Sequence, residues 1–170
     1  PVGPQVLEYI ADQEKFCEKV SREVYKLLLL RLYPAERGWN ENRRWEESNP
    51  LLNVYFGRDS IYKQMNESRL ALVTYIGTTY LQTFAANYPT ILFWNPDHNE
   101  IRPSARPYFD NLRRAGILHD NSESAAEKVN KIYLDPLSWW MSQEVQEAKD
   151  KFSDQFARTS KSWRTIWKKE

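Results

Sequence analysis

Cysteine, glycine and histidine are scarce in this sequence of 170 residues, which has one Cys, five Gly and two His. The single thiol, Cys17, cannot form an internal disulfide and lies in a helical pattern, so a reduced, cytoplasmic setting fits best. No group of His, Cys and Asp has the spacing of a metal site. Neither a Cys–His nor a Ser–His–Asp arrangement is present for nucleophilic catalysis, and we predict no metal and no cofactor.

Excess charge and long apolar runs are also lacking. The 24 Lys and Arg residues balance 23 Asp and Glu residues to a net charge of +1, which argues against nucleic acid as the main partner. The longest apolar runs, such as residues 27–30, are far shorter than the roughly 18 residues of a membrane span. Hydrophobic residues still make up 41% of the chain and aromatic residues 14%, so we expect one domain with a bulky core.

Apolar spacing predicts strands that alternate with helices. Residues 5–24 have helical spacing. The apolar runs at 26–32, 70–74 and 90–94 are typical of strands buried on both faces. We further predict a polar loop at 33–50, a short strand at 52–56 and a short edge strand or turn at 116–119. Helices are predicted at 60–67, 78–87, 104–115, 122–133 (with Ser122 as N-cap) and from 137 onward, with an interruption near residue 159 left open.

This alternation indicates an α/β fold, a Rossmann-like parallel sheet with helices on both faces. We expect one domain over residues 1–170, with 137–170 as a C-terminal helical extension. Doubly wound domains usually open with a strand, whereas this sequence opens with a helical pattern. We therefore expect a first strand to precede it, and an exposed strand edge beside residues 27–31 in its absence.

Ligands of open parallel sheets bind beyond the carboxyl ends of the strands, and three predicted loops occupy that position. The first loop comprises residues 31–45, the second loop residues 75–79 and the third loop residues 95–102. The carboxyl ends of parallel strands meet at one edge of a sheet. The sequence therefore predicts a ligand site to which these loops contribute.

The second loop has the most specific pattern. Gly77 lets the backbone approach a ligand closely, and Thr78 and Thr79 place two hydroxyls in the first turn of the next helix. Free N–H groups and the helix dipole favour an anion there. A simple capping turn accounts for the same residues equally well.

Arginines of the first loop are candidates for phosphate binding. Arg31 ends a predicted buried strand, where its guanidinium could clamp a phosphate with paired hydrogen bonds. A salt bridge to a loop carboxylate is the alternative role. Arg43 and Arg44 fit a solvated surface better than a binding site.

The third loop contributes further candidates. His98 lies beside Asp97 and Glu100, which makes it a candidate for proton transfer or for a hydrogen bond to a ligand or to the loop backbone. Glu100 and Arg102 could contact a ligand at the sheet edge, or pair with each other as a loop-internal ion pair. His119 is expected to be structural.

Residues in all three loops, taken in chain order, match a pattern found in a known family. They are Arg31-Leu32-Tyr33, Gly38-Trp39, Arg44-Trp45, Ser68-Arg69-Leu70, residues 74–81, residues 87–96, Glu100-Ile101-Arg102, Pro107-Tyr108-Phe109, residues 116–119 and Trp139-Trp140. In this set the chain resembles the transferases of bacterial O-antigen and surface-polysaccharide loci, which have the two-domain GT-B fold. The resemblance covers nearly the whole chain, and residues 74–102 are its most specific part.

The resemblance implies that this chain is the C-terminal, donor-binding half of a glycosyltransferase, inactive by itself. Its partners would be a nucleotide-sugar donor and an N-terminal acceptor-binding half of the same protein, and peripheral association with the inner face of the cell membrane is left open. No catalytic residue is identified. The donor-binding residues that follow are Arg31, Tyr75, Gly77, Thr78, Thr79, Gln82, Asn95, His98, Glu100 and Arg102.

One position departs from the family pattern. GT-B donor domains commonly place a glutamate one turn into the helix after the glycine turn, where it binds the donor ribose. Gln82 stands there in this sequence. An amide can still donate and accept hydrogen bonds, but ribose recognition by a carboxylate is not available.

Two other functions stay open at this point. A nucleotide-sugar 2-epimerase would need several carboxylates and a histidine around the sugar, and a non-catalytic module would use its aromatic surface for docking. Near the C-terminus, aromatic residues with helical spacing form one predicted stripe: Phe152, Phe156, Trp163 and Trp167. We interpret this stripe as packing against the other half rather than as a membrane-surface helix.

Overall fold

The computed structural model describes Gly3 and residues 5–35, 38–160 and 162–168, with the backbone only at Trp163. Within these ranges the chain forms parallel strands surrounded by helices. The strands are β1 Leu29–Arg31, β2 Asn53–Tyr55, β3 Ala71–Val73, β4 Thr90–Phe93 and β5 Leu118–His119. The helices are α1 Val6–Lys19, α2 Arg22–Tyr25, α3 Glu41–Ser48, α4 Ile61–Glu67, α5 Thr78–Ala85, α6 Arg106–Arg114, α7 Ser122–Ile132, α8 Pro136–Trp140, α9 Gln143–Phe156 and α10 Trp163–Trp167.

The strands belong to two small parallel sheets rather than to the single sheet predicted. β1 pairs with β2, and β3, β4 and β5 lie side by side in sequence order. Each parallel connection passes through a helix, as parallel pairing requires. The predicted mixed α/β fold, Rossmann-like with parallel strands and helices around them, is confirmed.

Strand β4 shows how the larger sheet is buried. Its side chains alternate: Leu92, with Trp94 just beyond the strand, packs in a cluster with α5, α6, α8 and α9. Ile91 and Phe93 point to the other face and pack with α1 and α7. Period-two alternation with both faces apolar therefore gives a strand covered by helices on either side.

Helix α1 packs against both sheets. Its first half buries Val6 and Ile10 in a cluster with Trp45 and Leu52, on the side of the small sheet. Its second half buries Phe16, whose ring stacks on Phe93 of β4 with 5.5 Å between ring centroids. α1 is thus a structural bridge between the β1–β2 pair and the larger sheet.

The predicted helix over residues 5–24 is two helices in the structure. Val20 adopts an extended conformation that ends α1. The Ser21 hydroxyl then accepts a hydrogen bond from the Val24 N–H and caps α2. Both Val20 and Val24 stay buried, so the apolar spacing continues through the break and conceals it.

The N-terminal third differs from the prediction in two further places. The loop predicted at 33–50 contains α3, which is anchored by Trp45 with 1% of its surface exposed. β1 is shorter than predicted and only half-buried, with Leu29 exposed, so burial on both faces is wrong for this strand. Within the described ranges β2 is the one strand that pairs with β1. A two-stranded sheet buries little of the surface of its strands.

The start of α7 also lies one residue from its predicted position. The N-cap is Asn121, whose Oδ1 accepts a hydrogen bond from the Ser124 N–H at 2.8 Å. Ser122, predicted to be the cap, is instead the first helical residue and is buried. Asn and Ser are about equally good caps, so composition alone could not decide between adjacent positions.

The C-terminal aromatic stripe is divided in the structure. Phe152 of α9 is buried in the main cluster, and Phe156 packs on Tyr108 of α6. The helix ends at Phe156, and Trp167 lies in the separate helix α10 with 78% of its surface exposed. The side chain of Trp163 is outside the described residues. Across the described ranges, no helix has both the length and the apolar character needed to cross a membrane.

Candidate functional site

The carboxyl ends of β3, β4 and β5 meet at one edge of the larger sheet, which we name the carboxyl edge. Thr74 follows β3, Asn95 comes shortly after β4, and Asp120 follows β5. Neighbouring strands lie about 5 Å apart, so the second loop (residues 75–79) and the third loop (residues 95–102) are adjacent, as predicted. This edge is where ligands of parallel α/β domains bind.

The second loop leads into α5 without a side-chain cap. Gly77 occupies the N-cap position in an extended conformation (φ −155°, ψ −167°), and no side-chain hydrogen bond caps the helix. The first N–H groups of an α-helix have no intrahelical acceptor, and at α5 no side chain of the N-cap residue replaces it. Thr78 and Gln82 are exposed and Thr79 is half-buried, so their polar groups are accessible beside this helix start.

An aromatic ring covers the glycine of this loop. A Cβ atom built on Gly77 would lie 2.4 Å from Cε2 of Tyr75, so only glycine fits beneath the ring as it stands. Tyr75 itself is 41% exposed. The close approach at Gly77 is therefore made by the chain's own tyrosine, on a side that a ligand could reach only after the ring turns away.

The same Tyr-x-Gly turn occurs a second time, after β2. A Cβ atom on Gly57 would collide with the hydroxyl end of Tyr55, so here too the tyrosine two residues earlier covers the glycine. Here the tyrosine is held, because its hydroxyl donates to Asp59 Oδ2 at 2.6 Å. The following helix is capped, since the Ser60 hydroxyl accepts a hydrogen bond from the Tyr62 N–H.

Arg31 takes part in the turn after β2. Its guanidinium donates to Gln64 Oε1 and to the backbone carbonyl of Asp59. It also lies over the ring of Tyr55, 5.6 Å from the centroid. The structure thus brings Arg31 together with the first Tyr-x-Gly turn, where it bonds a side-chain amide and a backbone carbonyl, and its role in phosphate binding stays a prediction.

Helix α1 is hydrogen-bonded to the residue that precedes the second loop. The Tyr9 hydroxyl lies 2.8 Å from Thr74 Oγ1, and Gln13 Nε2 donates to the same oxygen at 2.7 Å. Burial raises the pKa of Tyr9 to about 12, so the phenol stays protonated. The pair fixes the start of the second loop against α1, a contact that the sequence analysis missed.

The predicted residues of the third loop point in different directions. Asn95 Oδ1 accepts from the Asp97 N–H and opens a 3-10 turn, while His98 Nε2 lies 3.0 Å from Glu8 of α1. Glu100 lines a separate cavity beside α6, and Arg102 is exposed. The structure therefore does not gather these four residues around one point.

Two cavities flank the third loop. The α1 cavity, of about 370 Å³, lies between α1 and the ends of β4 and β5 and is lined by Asp12, Lys15, Asn95, Asp120, Asn121 and Glu123. The α6 cavity, of about 430 Å³, is lined by Pro96, Asp97, Asn99, Glu100, Ile101, Arg106, Asp110 and Arg113. Of the α1 cavity, the sequence analysis found only Asn95. The spacing of Asp12 and Lys15 shows a shared helix face, but not that this face meets the sheet edge.

Two titratable groups are structural rather than reactive. Burial raises the pKa of the Cys17 thiol to about 11, with Glu14 and Glu18 adding to the effect, so Cys17 is not a thiolate near neutral pH. His119 Nε2 lies 3.2 Å from the Gly116 carbonyl and Nδ1 lies 2.7 Å from the Ser124 hydroxyl. The carbonyl can only accept, so Nε2 bears a proton, and burial lowers the pKa of His119, which favours the neutral ring.

His119 should make stability depend on pH. Burial lowers its pKa in the folded chain, whereas the unfolded chain protonates near pH 6.5. Below that pH the unfolded state binds more protons, so the free energy of unfolding should fall as the pH drops through 6.5 toward the folded-state pKa. Urea unfolding at pH 7.5 and 5.5 measures this loss. His119→Gln does not titrate and still offers one donor and one acceptor, and an equal loss in that variant would show that another group is responsible.

The described residues contain no group of three or more His, Cys, Asp or Glu side chains placed to hold a metal ion. What they do present is a parallel α/β domain with an uncapped helix start and a polar cavity along the carboxyl edge. The chain matches the family described as LIC12162 family transferase over residues 1–170, and it belongs to this family of transferases. Comparison with curated proteins and with solved structures finds no match.

Proposed function

We propose that this transferase is the donor-binding half of a glycosyltransferase of bacterial surface-polysaccharide synthesis, and that its second loop binds the diphosphate of a nucleotide sugar. The observation that supports this most is the uncapped start of α5 at Gly77, on the carboxyl edge. N–H groups without acceptors at a helix start form an anion site together with the helix dipole. The hydroxyls of Thr78 and Thr79 would add donors.

The contrast between the two Tyr-x-Gly turns supports the choice of the second. After β2 the turn is filled by Arg31, Asp59 and the Ser60 cap. After β3, helix α5 has no such cap and Tyr75 is exposed. Ser60 thus satisfies an N–H group at the start of α4 within the chain, whereas the N–H groups at the start of α5 are left for water or a ligand.

Binding requires Tyr75 to leave the face of Gly77. Its ring is exposed and belongs to none of the three core clusters, so its rotation would leave the core packing in place. Gln82, exposed one turn further along α5, would then hydrogen-bond the ribose. His98, Glu100, Arg102 and Asn95 lie along the neighbouring loop, where the remainder of the donor would extend. Arg31 would contribute only indirectly, because it stabilises the first turn.

The reaction would be electrostatically assisted glycosyl transfer. The bond between the anomeric carbon and the diphosphate oxygen breaks, and its electron pair leaves with the diphosphate. The oxygen of the acceptor hydroxyl forms the new bond to the anomeric carbon and releases its proton to a base. In this proposal the helix N–H groups stabilise the charge that develops on the departing diphosphate, and the base belongs to the acceptor-binding half.

Thermal unfolding with nucleoside diphosphates tests the proposal. A ligand at 100 times its dissociation constant should raise the free energy of unfolding by about 2.7 kcal/mol, and inorganic phosphate at the same concentration is the control. If no nucleoside diphosphate shifts the transition, the donor site proposed here does not exist. Product analysis with the full-length protein then separates sugar transfer from epimerisation of the nucleotide sugar.

A further inference from the structure

The α1 cavity lies beside the second loop on the same edge. Asn95 and Asp120 follow β4 and β5, and β4 is the direct neighbour of β3, which leads into the second loop. The cavity is thus one to two strand spacings from that loop, about 5 to 10 Å. Its opposite wall is Asp12 and Lys15 of α1.

The polar groups of this cavity are only partly used within the chain. Asp120 accepts from Arg113 at 2.8 Å, and Glu123 is paired with Lys15. Asp12 has no such hydrogen bond or ion pair, although it is half-buried, and burial raises its pKa. One carboxylate acceptor therefore remains available for a ligand.

The two asparagines of the cavity remain available as donors. Asn95 Oδ1 accepts from the Asp97 N–H at 2.9 Å, and Asn121 Oδ1 accepts from the Ser124 N–H at 2.8 Å. These bonds fix the orientation of both amides, and the side-chain NH₂ groups, which make no hydrogen bond within the described residues, are left as donors for a ligand. The cavity thus combines a free acceptor at Asp12 with free donors on two sides.

This combination selects the chemical class of the ligand. Three carboxylates face one lysine in the lining, which disfavours phosphate. An ammonium group would satisfy Asp12 but offers no acceptor to the amides. A hydroxyl group both donates and accepts, so a ring with neighbouring hydroxyls can satisfy the carboxylate and the amides together.

We propose that the α1 cavity binds the uncharged, hydroxyl-rich sugar ring of the donor, with Asp12 as acceptor and Asn95 and Asn121 as donors. This rests on the proposed function, since it places the sugar one to two strands away from the diphosphate at the second loop. The two parts of the donor would bind at different places on the carboxyl edge because of their charge. The diphosphate anion would bind at the start of α5, and the neutral sugar ring would bind beside the carboxylates of the α1 cavity.

Calorimetry on the full chain tests the assignment, with UDP, GDP and dTDP each measured alone and with an attached hexose. Asp12→Asn should leave the affinity for the preferred nucleoside diphosphate within about twofold. It should weaken binding of the hexose-bearing form by roughly tenfold to hundredfold, the effect of losing hydrogen bonds to a charged group. Asn121→Asp keeps the cap on α7 but removes the NH₂ donor, and it should weaken the same form several-fold.

Glu18→Gln is the matched control, because it removes the same charge from an exposed position of α1. It should alter neither affinity. Equal weakening of both ligand forms in Asp12→Asn, or no weakening of either, would overturn the assignment. If no nucleotide binds at all, the proposed diphosphate site is wrong, and NMR titration with free hexoses tests the sugar site in the α1 cavity separately. Hexose binding that is lost in Asp12→Asn would support the sugar site, and absence of hexose binding to the wild type would reject it.

Discussion

Replacing Gly77 by Val is expected to abolish nucleoside diphosphate binding while the chain stays folded. The new Cβ would lie 2.4 Å from the Tyr75 ring, which is exposed and can turn aside. The valine methyl groups would then occupy the position from which a phosphate must reach the helix N–H groups. Gly is a clearly better N-cap than an aliphatic residue, so the change should also cost about 1 kcal/mol of stability, which a folded domain with roughly 5 to 15 kcal/mol tolerates. Calorimetry gives the affinity, and circular dichroism confirms the fold.

Gly57→Val is the matched control in the equivalent turn. Its Cβ would collide with the Tyr55 hydroxyl, and this ring is fixed by Arg31 and Asp59. We expect a cost of about 1 to 3 kcal/mol in unfolding free energy with unchanged nucleotide affinity. Undiminished binding in folded Gly77→Val would mean that the second loop is only a helix start.

The two hydroxyls of the second loop allow a graded version of this experiment. Changing Thr78 and Thr79 together to Val should weaken nucleotide binding by about 1 to 3 kcal/mol, because hydrogen bonds to charged oxygens are lost. The backbone N–H groups remain, so binding should be reduced rather than abolished. Complete loss would point instead to a disturbed helix start, which circular dichroism would detect.

Phe152→Ala should destabilise the chain by about 3 to 5 kcal/mol, the usual cost of removing a large buried aromatic ring. Phe152 is 1% exposed, and its ring lies 5.0 Å from that of Phe109 and 5.7 Å from that of Phe84, measured between centroids. Marginal stability of 5 to 15 kcal/mol is typical of folded domains, so this single change should remove much of it. Urea unfolding measures the difference.

Trp167→Ala provides the comparison, because this residue was predicted to share a helical stripe with Phe152. Trp167 is 78% exposed, and exposed positions usually change stability by less than about 0.5 kcal/mol. A comparable loss in both variants would contradict the division of the stripe. Helix α9 also places Val145 and Ala148 in the main cluster, so α9 packs as part of the core as far as Phe152.

Local sequence patterns predicted the larger sheet well. The runs that became β3 and β4 are continuous and apolar, and each is followed by turn residues, so both their existence and their approximate ends were readable. The second loop was predicted for the same reason, since Gly77 directly follows such a strand and precedes a helical pattern. Helix α3 was missed because its burial depends on one residue, Trp45, which gives no periodicity.

Long-range contacts account for most of the rest. The hydrogen bonds between Thr74 and the side chains of Tyr9 and Gln13 join residues more than 60 positions apart in the sequence. Local residue spacing cannot predict such contacts. Strand order is another long-range property: local patterns do not show that the strand ending at Arg31 pairs with β2. From the family resemblance, the prediction of a transferase is confirmed. The nucleotide sugar and the role in polysaccharide synthesis belong to the proposed function.

The position of α1 has a consequence for how the fold opens. Backbone pairing keeps the described strands in two sheets, yet Val6 of α1 packs beside one sheet and Phe16 beside the other. Undocking α1 removes packing from both at once, so the two sheets should exchange their amide hydrogens in a single cooperative unit. Slower exchange caused by a ligand at the second loop would then extend through Thr74 and α1 to the amides around Trp45.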